Sequence, residues 1–250
     1  MRCWYVSQMD ARAQMLARSC GMGVELIDFC IPENMENAAL IRDSKDALKG
    51  FALSLHAPYY EIFPCAIDPL IREVAMHRLR RCAALCAEMG ARRMIAHSGY
   101  MPQLYYPQWF VPKSICFWKE FIAQLPDQLE LLLENVLDVS PEHIARVCDG
   151  VGDERLRICL DVGHANAYSP VPVTEWIRTL GSRIAHVHLH NNDGSCDAHN
   201  ALGDGSMNML EVLEALDVHA PSAALCIESM DAQASLRYLM EHGIIETRKL

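Results

Sequence analysis

Six residues of this chain share a placement that chemistry can use. His56, His97, Glu134, Asp161, His188 and Glu228 each stand at or next to the C-terminal end of a short apolar run. His164 follows three positions after Asp161, and Asp197 and His199 lie in the loop beginning His190-Asn-Asn-Asp-Gly. Imidazoles and carboxylates, with no conspicuous lysine or serine nucleophile among them, form the donor set of a divalent metal such as Zn, Mn, Fe or Co. Crowded, buried carboxylates would otherwise repel one another and take up protons, and a cation removes that cost. One histidine at a strand end is more often a satisfied core or rim residue, and one buried glutamate is commonly half of an ion pair. Six at the same end of their runs argue for a metal. His186, one step deeper than His188, reads as a core residue, and His190 as a rim residue beside the ligands or a substrate.

The elements that must position these residues follow from hydrophobic patterning. Apolar runs fall at 3–7, 24–29, 51–56, 93–97, 129–134, 157–161, 184–190 and 224–228. Amphipathic stretches lie between them, clearest at 68–89 (stopped by Gly90), 141–148, 207–216 and 232–242. Strand alternating with helix predicts a parallel sheet with helices outside. Eight such units in 250 residues fit a single (β/α)8 barrel, an α/β fold, spanning 1–250. A doubly wound open sheet competes, but gives no reason for the polar residues to converge. Within the runs, one face is Phe51, Leu53, Leu55 and the other Ala52, Ser54, His56. The corresponding mixed faces are Glu130, Leu132, Glu134; Arg157, Cys159, Asp161; Ile184, His186, His188, His190; and Ala224, Cys226, Glu228. Strand side chains alternate, so the apolar set packs on helices and the mixed set points into the barrel. Each mixed set gains its polar residue at the C-terminal end, where barrel enzymes place their chemistry.

Composition narrows the classes further. Hydrophobic residues make up 51% and charged residues 22%, which excludes a disordered chain. A net charge of -10 argues against broad nucleic-acid binding and against a polybasic membrane contact. The eleven cysteines are odd in number and scattered without a CxxC pair. Residues 1–14 lack the apolar segment of a signal peptide, so reduced thiols in a cytoplasm are expected, with Cys159 and Cys226 in the core. No apolar run approaches the roughly 18 residues of a membrane span. No glycine-rich phosphate cradle stands out, so the sequence does not by itself assert a phosphate on the substrate, and no organic cofactor is expected.

The motifs His56-Ala-Pro-Tyr59, Leu133-Glu-Asn135, Leu160-Asp-Val-Gly-His164-Ala-Asn166, His186-Val-His-Leu-His-Asn-Asn-Asp-Gly194, His199-Asn-Ala-Leu-Gly-Asp-Gly205 and Ile227-Glu228 resemble the xylose-isomerase-like TIM-barrel superfamily. The resemblance covers nearly the whole chain. That superfamily includes sugar-phosphate isomerases and epimerases, ketose 3-epimerases and AP endonucleases of the trinuclear-zinc type. The epimerase pattern implies one metal on Glu134, Asp161, His188 and Glu228, with Glu134 and Glu228 also the acid/base pair. The endonuclease pattern implies the same quartet plus His56, His97, His164, Asp197 and His199, and all nine positions match here. Two departures stand out: the loop after His188 lacks the arginine of the ketose epimerases, and Asn191 replaces an aspartate of many relatives.

Isomerisation needs a metal polarising a carbonyl and one or two bases at the neighbouring carbon. Phosphodiester hydrolysis needs clustered metals, and ligand count alone favours it. Charge does not. Arg72, Arg78, Arg80, Arg81, Arg92 and Arg93 fall mainly on the helix after the third strand and at the start of the fourth, as a solvated outer face. Tyr59, Tyr60, Tyr105, Tyr106, Trp109 and Phe110 read as a pocket lid. The sequence therefore predicts a divalent-metal-dependent isomerase or epimerase of a small carbohydrate or sugar phosphate. One to three ions, Zn or Mn, are expected, with Tyr59, Trp109 and His190 against the substrate. The alternative is an AP-endonuclease-like trinuclear-zinc phosphodiesterase acting on DNA. No membrane partner is expected, and a homo-oligomer is compatible with the sequence.

Overall fold

Every apolar run becomes a strand of one parallel sheet. In chain order the elements are β1 (Trp4–Ser7), α1 (Ala13–Cys20), β2 (Gly23–Leu26), α2 (Ala38–Ala47), β3 (Leu53–His56), α3 (Pro69–Met89), β4 (Arg93–His97), α4 (Pro107–Ile122), β5 (Glu130–Glu134), α5 (Pro141–Val151), β6 (Leu156–Asp161), α6 (Val162–Tyr168), α7 (Val173–Leu180), β7 (Ile184–Leu189), α8 (Met209–His219), β8 (Ala224–Ile227) and α9 (Ala232–Glu241). The computed structural model describes residues 2–246; Met1 and 247–250, included in the expected domain, lie outside the described residues. The strands pair in sequence order and β8 closes on β1, forming a (β/α)8 barrel. No helix among the described residues is long and apolar enough to cross a membrane.

Local signals set the boundaries. α3 begins where Asp68 accepts a hydrogen bond from the Leu70 N–H and Pro69 supplies a preset φ, and ends at Gly90 in the left-handed region at φ 76°. Outward strand residues Leu26, Leu55, Leu133, Leu160 and Val187 are fully buried against the helix layer, as are Trp118 and Trp176 within it. The barrel interior is narrower: Ile95, Leu132, Cys159 and Ala185 form one apolar plug, and Tyr5, Ala224 and Cys226 another. All eleven cysteines are free thiols.

Two sequence expectations need correction. The run 24–29 is a strand only as far as Leu26, because Asp28–Cys30 turns into a 3-10 helix. In β7, Ile184 was expected inside the barrel and Ala185 outside. The pairing with β6 instead steps from Ile158–Ile184 to Cys159–His186, leaving Ala185 as an extra residue. A bulge of this kind resets the side-chain alternation, so Ile184 joins the outer core and Ala185 the interior plug.

Candidate metal centre

The C-terminal strand ends bring His56, His97, Glu134, Asp161 and His188 together, and Glu228 follows β8 directly. Asp161 also caps α6 by accepting the His164 N–H at 2.6 Å, which places His164 one turn above it. Asp197 and His199 come from the loop between β7 and α8. His199 sits in the left-handed region at φ 47°, an uncommon conformation for a non-glycine residue. The nine residues by themselves make three groups with donor atoms within 4.8 Å of one another: His56, His97, Glu134; Glu134, Asp161, His188, Glu228; and His164, Asp197, His199. His199 and Glu228 also group with His190, and His188 with Glu25 and His186.

Glu134 joins the first two groups. Its Oε2 lies 2.9 Å from His56 Nε2 and 3.5 Å from His97 Nε2, while its Oε1 lies 3.3 Å from both His164 Nδ1 and His188 Nδ1. His188 Nδ1 also faces Glu228 Oε2 at 3.0 Å and Asp161 Oδ2 at 3.6 Å. Asp197 Oδ2 bridges His164 Nε2 at 3.1 Å and His199 Nε2 at 3.0 Å. Burial by itself pushes the Glu134 and Asp161 carboxyls up, but the surrounding imidazoles hold both well below the usual range. Burial likewise disfavours a charge on His164, and Asp161, Asp197 and Glu134 outweigh it and raise the ring well above its ordinary value. Burial prevails at His97, which falls to about 3.

The donor set fits a divalent cation. His56 and His199 direct Nδ1 at the carbonyls of Ala57 and Glu228, at 2.9 Å and 2.7 Å. In the neutral ring the proton then sits on Nδ1, and Nε2 turns a lone pair towards a carboxylate. Lone pair against carboxylate is repulsive, and either a proton on Nε2, which the raised His56 and His199 rings take up without a metal, or a metal cation between the two relieves it. Asp197 Oδ1 is also buried without a hydrogen-bond partner among the described residues, the kind of orphan a metal would satisfy.

The remaining sequence candidates separate. Tyr59 stacks on His97 with ring centroids 4.7 Å apart and meets His56 edge-on at 5.4 Å. Trp109 instead stacks on Tyr105 at 5.1 Å and lines a groove between α3 and α4. His190 is not at the rim but fully buried, its Nε2 3.1 Å and 3.2 Å from the two Asp161 oxygens and its ring stacked on His199 at 4.0 Å. Glu25 on β2 was missed. It is fully buried, with Oε2 3.1 Å from His186 Nε2 and Oε1 2.9 Å from His188 Nε2. A signal existed: Glu25 shares the inward face with Gly23, between Val24 and Leu26 of the outer core.

Several arginines of the outer cluster are engaged away from the strand ends. Arg80 pairs with Glu120, Arg81 with Glu36 and Arg93 with Glu130, and Arg72 donates to the carbonyls of Ala66 and Ile67.

Comparison with known proteins agrees with this architecture. Residues 16–244 match a family model described as xylose isomerase-like TIM barrel. An uncharacterized protein of Methanocaldococcus jannaschii, MJ1311, is 27% identical over 235 residues, covering 89% of this chain and 79% of that protein. A probable endonuclease 4 of Mycobacterium leprae is 26% identical over 205 residues, covering 76% of this chain and 78% of that one. Among solved structures, a D-tagatose 3-epimerase-like protein superimposes with a TM-score of 0.79 at 23% identity, over 97% of both chains.

Proposed function

Because the chain belongs to the xylose isomerase-like TIM-barrel family, we propose that it is a divalent-metal-dependent enzyme that hydrolyses a phosphoester of a small carbohydrate. The observation that carries this reading is the engagement of Glu134 on both oxygens, Oε2 by His56 and His97 and Oε1 by His164 and His188. A carboxylate with both oxygens so engaged has no free oxygen to serve as base for a carbon acid. It is a good bridge between neighbouring cations.

His56, His97 and Glu134 would hold one ion, the quartet Glu134, Asp161, His188 and Glu228 a second, and His164, Asp197 and His199 a third. Bound ions would supply an activated water and neutralise charge on the phosphate. The protein's own part is to keep the donors rigid. Backbone carbonyls fix the rings of His56, His164 and His199. His190 holds Asp161 through its Nε2, and Tyr59 covers the His56 and His97 side. A net charge of -10 and paired outer arginines favour a small substrate over duplex DNA, whose binding rests on many phosphate contacts. The endonuclease name of the mycobacterial relative supports phosphodiester chemistry.

A second reading is favoured by a different observation. The superposition on a D-tagatose 3-epimerase-like protein covers 97% of the chain, and Glu134 and Glu228 both reach the His188 Nδ1. An isomerase or epimerase would use the quartet for one metal and those two glutamates to move a proton at the carbon beside a carbonyl. Metal-loaded protein is incubated in deuterated water with bis(p-nitrophenyl) phosphate, sugar phosphates, free ketoses and abasic-site DNA. Phosphoester cleavage without deuterium in any C–H bond supports the hydrolase. Deuterium beside a carbonyl, lost in Glu228→Gln, replaces it with the isomerase, and cleavage of abasic DNA alone moves the substrate to nucleic acid.

A further inference from the structure

The histidines of the centre are not all held in the same way. His56, His164 and His199 place Nδ1 on the backbone carbonyls of Ala57, Asn135 and Glu228, at 2.9, 2.9 and 2.7 Å, and turn Nε2 to a carboxylate. His188 is reversed. Its Nδ1 faces Glu228, Glu134 and Asp161, and its Nε2 points to Glu25 Oε1 at 2.9 Å. That approach is off the axis of the ring N–H, so the pair is a close contact and not an aligned hydrogen bond, and neither Nε2 nor Oε1 has another hydrogen-bond partner among the described residues.

Glu25 is itself held in place. Ser54 Oγ donates to its Oε2 at 2.8 Å, and His186 Nε2 lies 3.1 Å from the same oxygen, which leaves Oε1 to His188. A fully buried carboxylate is costly unless paired, and here its partners are a hydroxyl and two imidazoles. A neutral imidazole carries one proton, and whichever nitrogen holds it cannot bind a metal. A carboxylate acceptor behind a ligand histidine fixes both tautomer and ring orientation. Without one at Nε2, either nitrogen of His188 could turn to the centre.

We propose that Glu25 is a positioning residue: by accepting the Nε2 proton of His188, it keeps that ring in the tautomer whose Nδ1 is free for a metal ion. This rests on His188 serving the metal centre proposed above.

The test reads the imidazole directly. Zinc-loaded protein labelled with 15N-histidine is compared with Glu25→Leu and Glu25→Gln by long-range 1H–15N spectra, with His188→Asn for assignment. Wild type is expected to carry the His188 proton on Nε2. Glu25→Leu should lose that pattern and bind zinc about 10- to 100-fold more weakly in chelator competition. Glu25→Gln, whose amide oxygen still accepts, should keep the pattern with intermediate affinity. A His188 proton on Nδ1 in wild type, or a folded Glu25→Leu protein with wild-type spectrum and affinity, overturns the proposal. If Glu25→Leu does not fold, the wild-type pattern decides by itself. A chain that binds zinc with this signature yet cleaves no phosphoester retains the inference and loses only the reading of function. Wild-type protein that takes up no zinc loses both.

Discussion

The imidazole of His190 occupies the space that a side chain at position 163 would need. A Cβ on Gly163 would lie 1.9 Å from His190 Cε1 and 2.4 Å from both ring nitrogens. The glycine is required by this close approach, which lets α6 start directly after Asp161 while His190 reaches that carboxylate from β7. Gly163→Ala should push the ring off Asp161, cost about 1–3 kcal/mol as overpacked interiors do, and reduce zinc retention. Urea midpoints and metal content after dialysis check both parts; wild-type values for each would show that His190 moves without consequence.

Metal stoichiometry separates a shared from a peripheral ligand. Wild-type protein should hold more than one zinc per chain. Asp197→Ala should release one equivalent, because Asp197 belongs only to the flanking group with His164 and His199. Glu134→Gln should release more, because Glu134 stands in two groups. Elemental analysis after dialysis reads the difference, and equal losses would contradict a bridging role.

Removing metal should also lower stability. Glu134, Asp161 and Glu228 are all buried within a few ångströms of the same histidine, and binding energy available only in the folded state is folding energy. Zinc at 100 times its dissociation constant adds about 2.7 kcal/mol. Chelated protein should therefore melt at a lower temperature and recover as zinc is titrated back. A melting temperature indifferent to chelator and zinc would count against a built metal centre.

Asp138 predicts a pH dependence apart from the donor groups. It is buried, its Oδ2 accepts from Ser98 Oγ at 2.7 Å and from the Val136 N–H at 3.2 Å, and its Oδ1 has no partner among the described residues. Burial raises its carboxyl from 3.8 to about 6, against the pull of those hydrogen bonds and, more weakly, of the His164 ring. The folded protein thus binds the proton more tightly than the unfolded chain, and stability falls as pH rises through about 4 to 6. The penalty, on the order of 3 kcal/mol, is complete above that window. Asp138→Asn should be more stable than wild type near neutral pH and should lose that advantage towards about pH 4. Urea titrations across the range check it; a difference independent of pH would mean that the carboxyl does not titrate there.

The sequence by itself determined the barrel and the strand-end placement of candidate donors, because both are written locally, whereas the nine-residue set came from resemblance to the endonuclease pattern. Period-two alternation fixes which face each residue of a strand takes, and the strand end fixes its depth, so His56, His97, Glu134, Asp161 and His188 were legible from their positions in their own runs. Alternation does not state which side chain lies across the barrel, nor where a strand carries an extra residue. Glu25 meets His186 and His188 only because closure brings β2 and β7 to face one interior. The bulge at Ala185 arises from the pairing of β6 with β7 and leaves no mark in the hydrophobic pattern. His190 is buried because the loop beyond it folds back, with the Asn191 side chain donating to the carbonyls of Leu202 and Met207, and because position 163 has no side chain. Trp109 turned outward onto Tyr105 for a similar reason: an aromatic residue on a helix takes whichever neighbour the packed layer provides. Distances between strands far apart in sequence depend on closure and stagger of the whole sheet, and no single run encodes those.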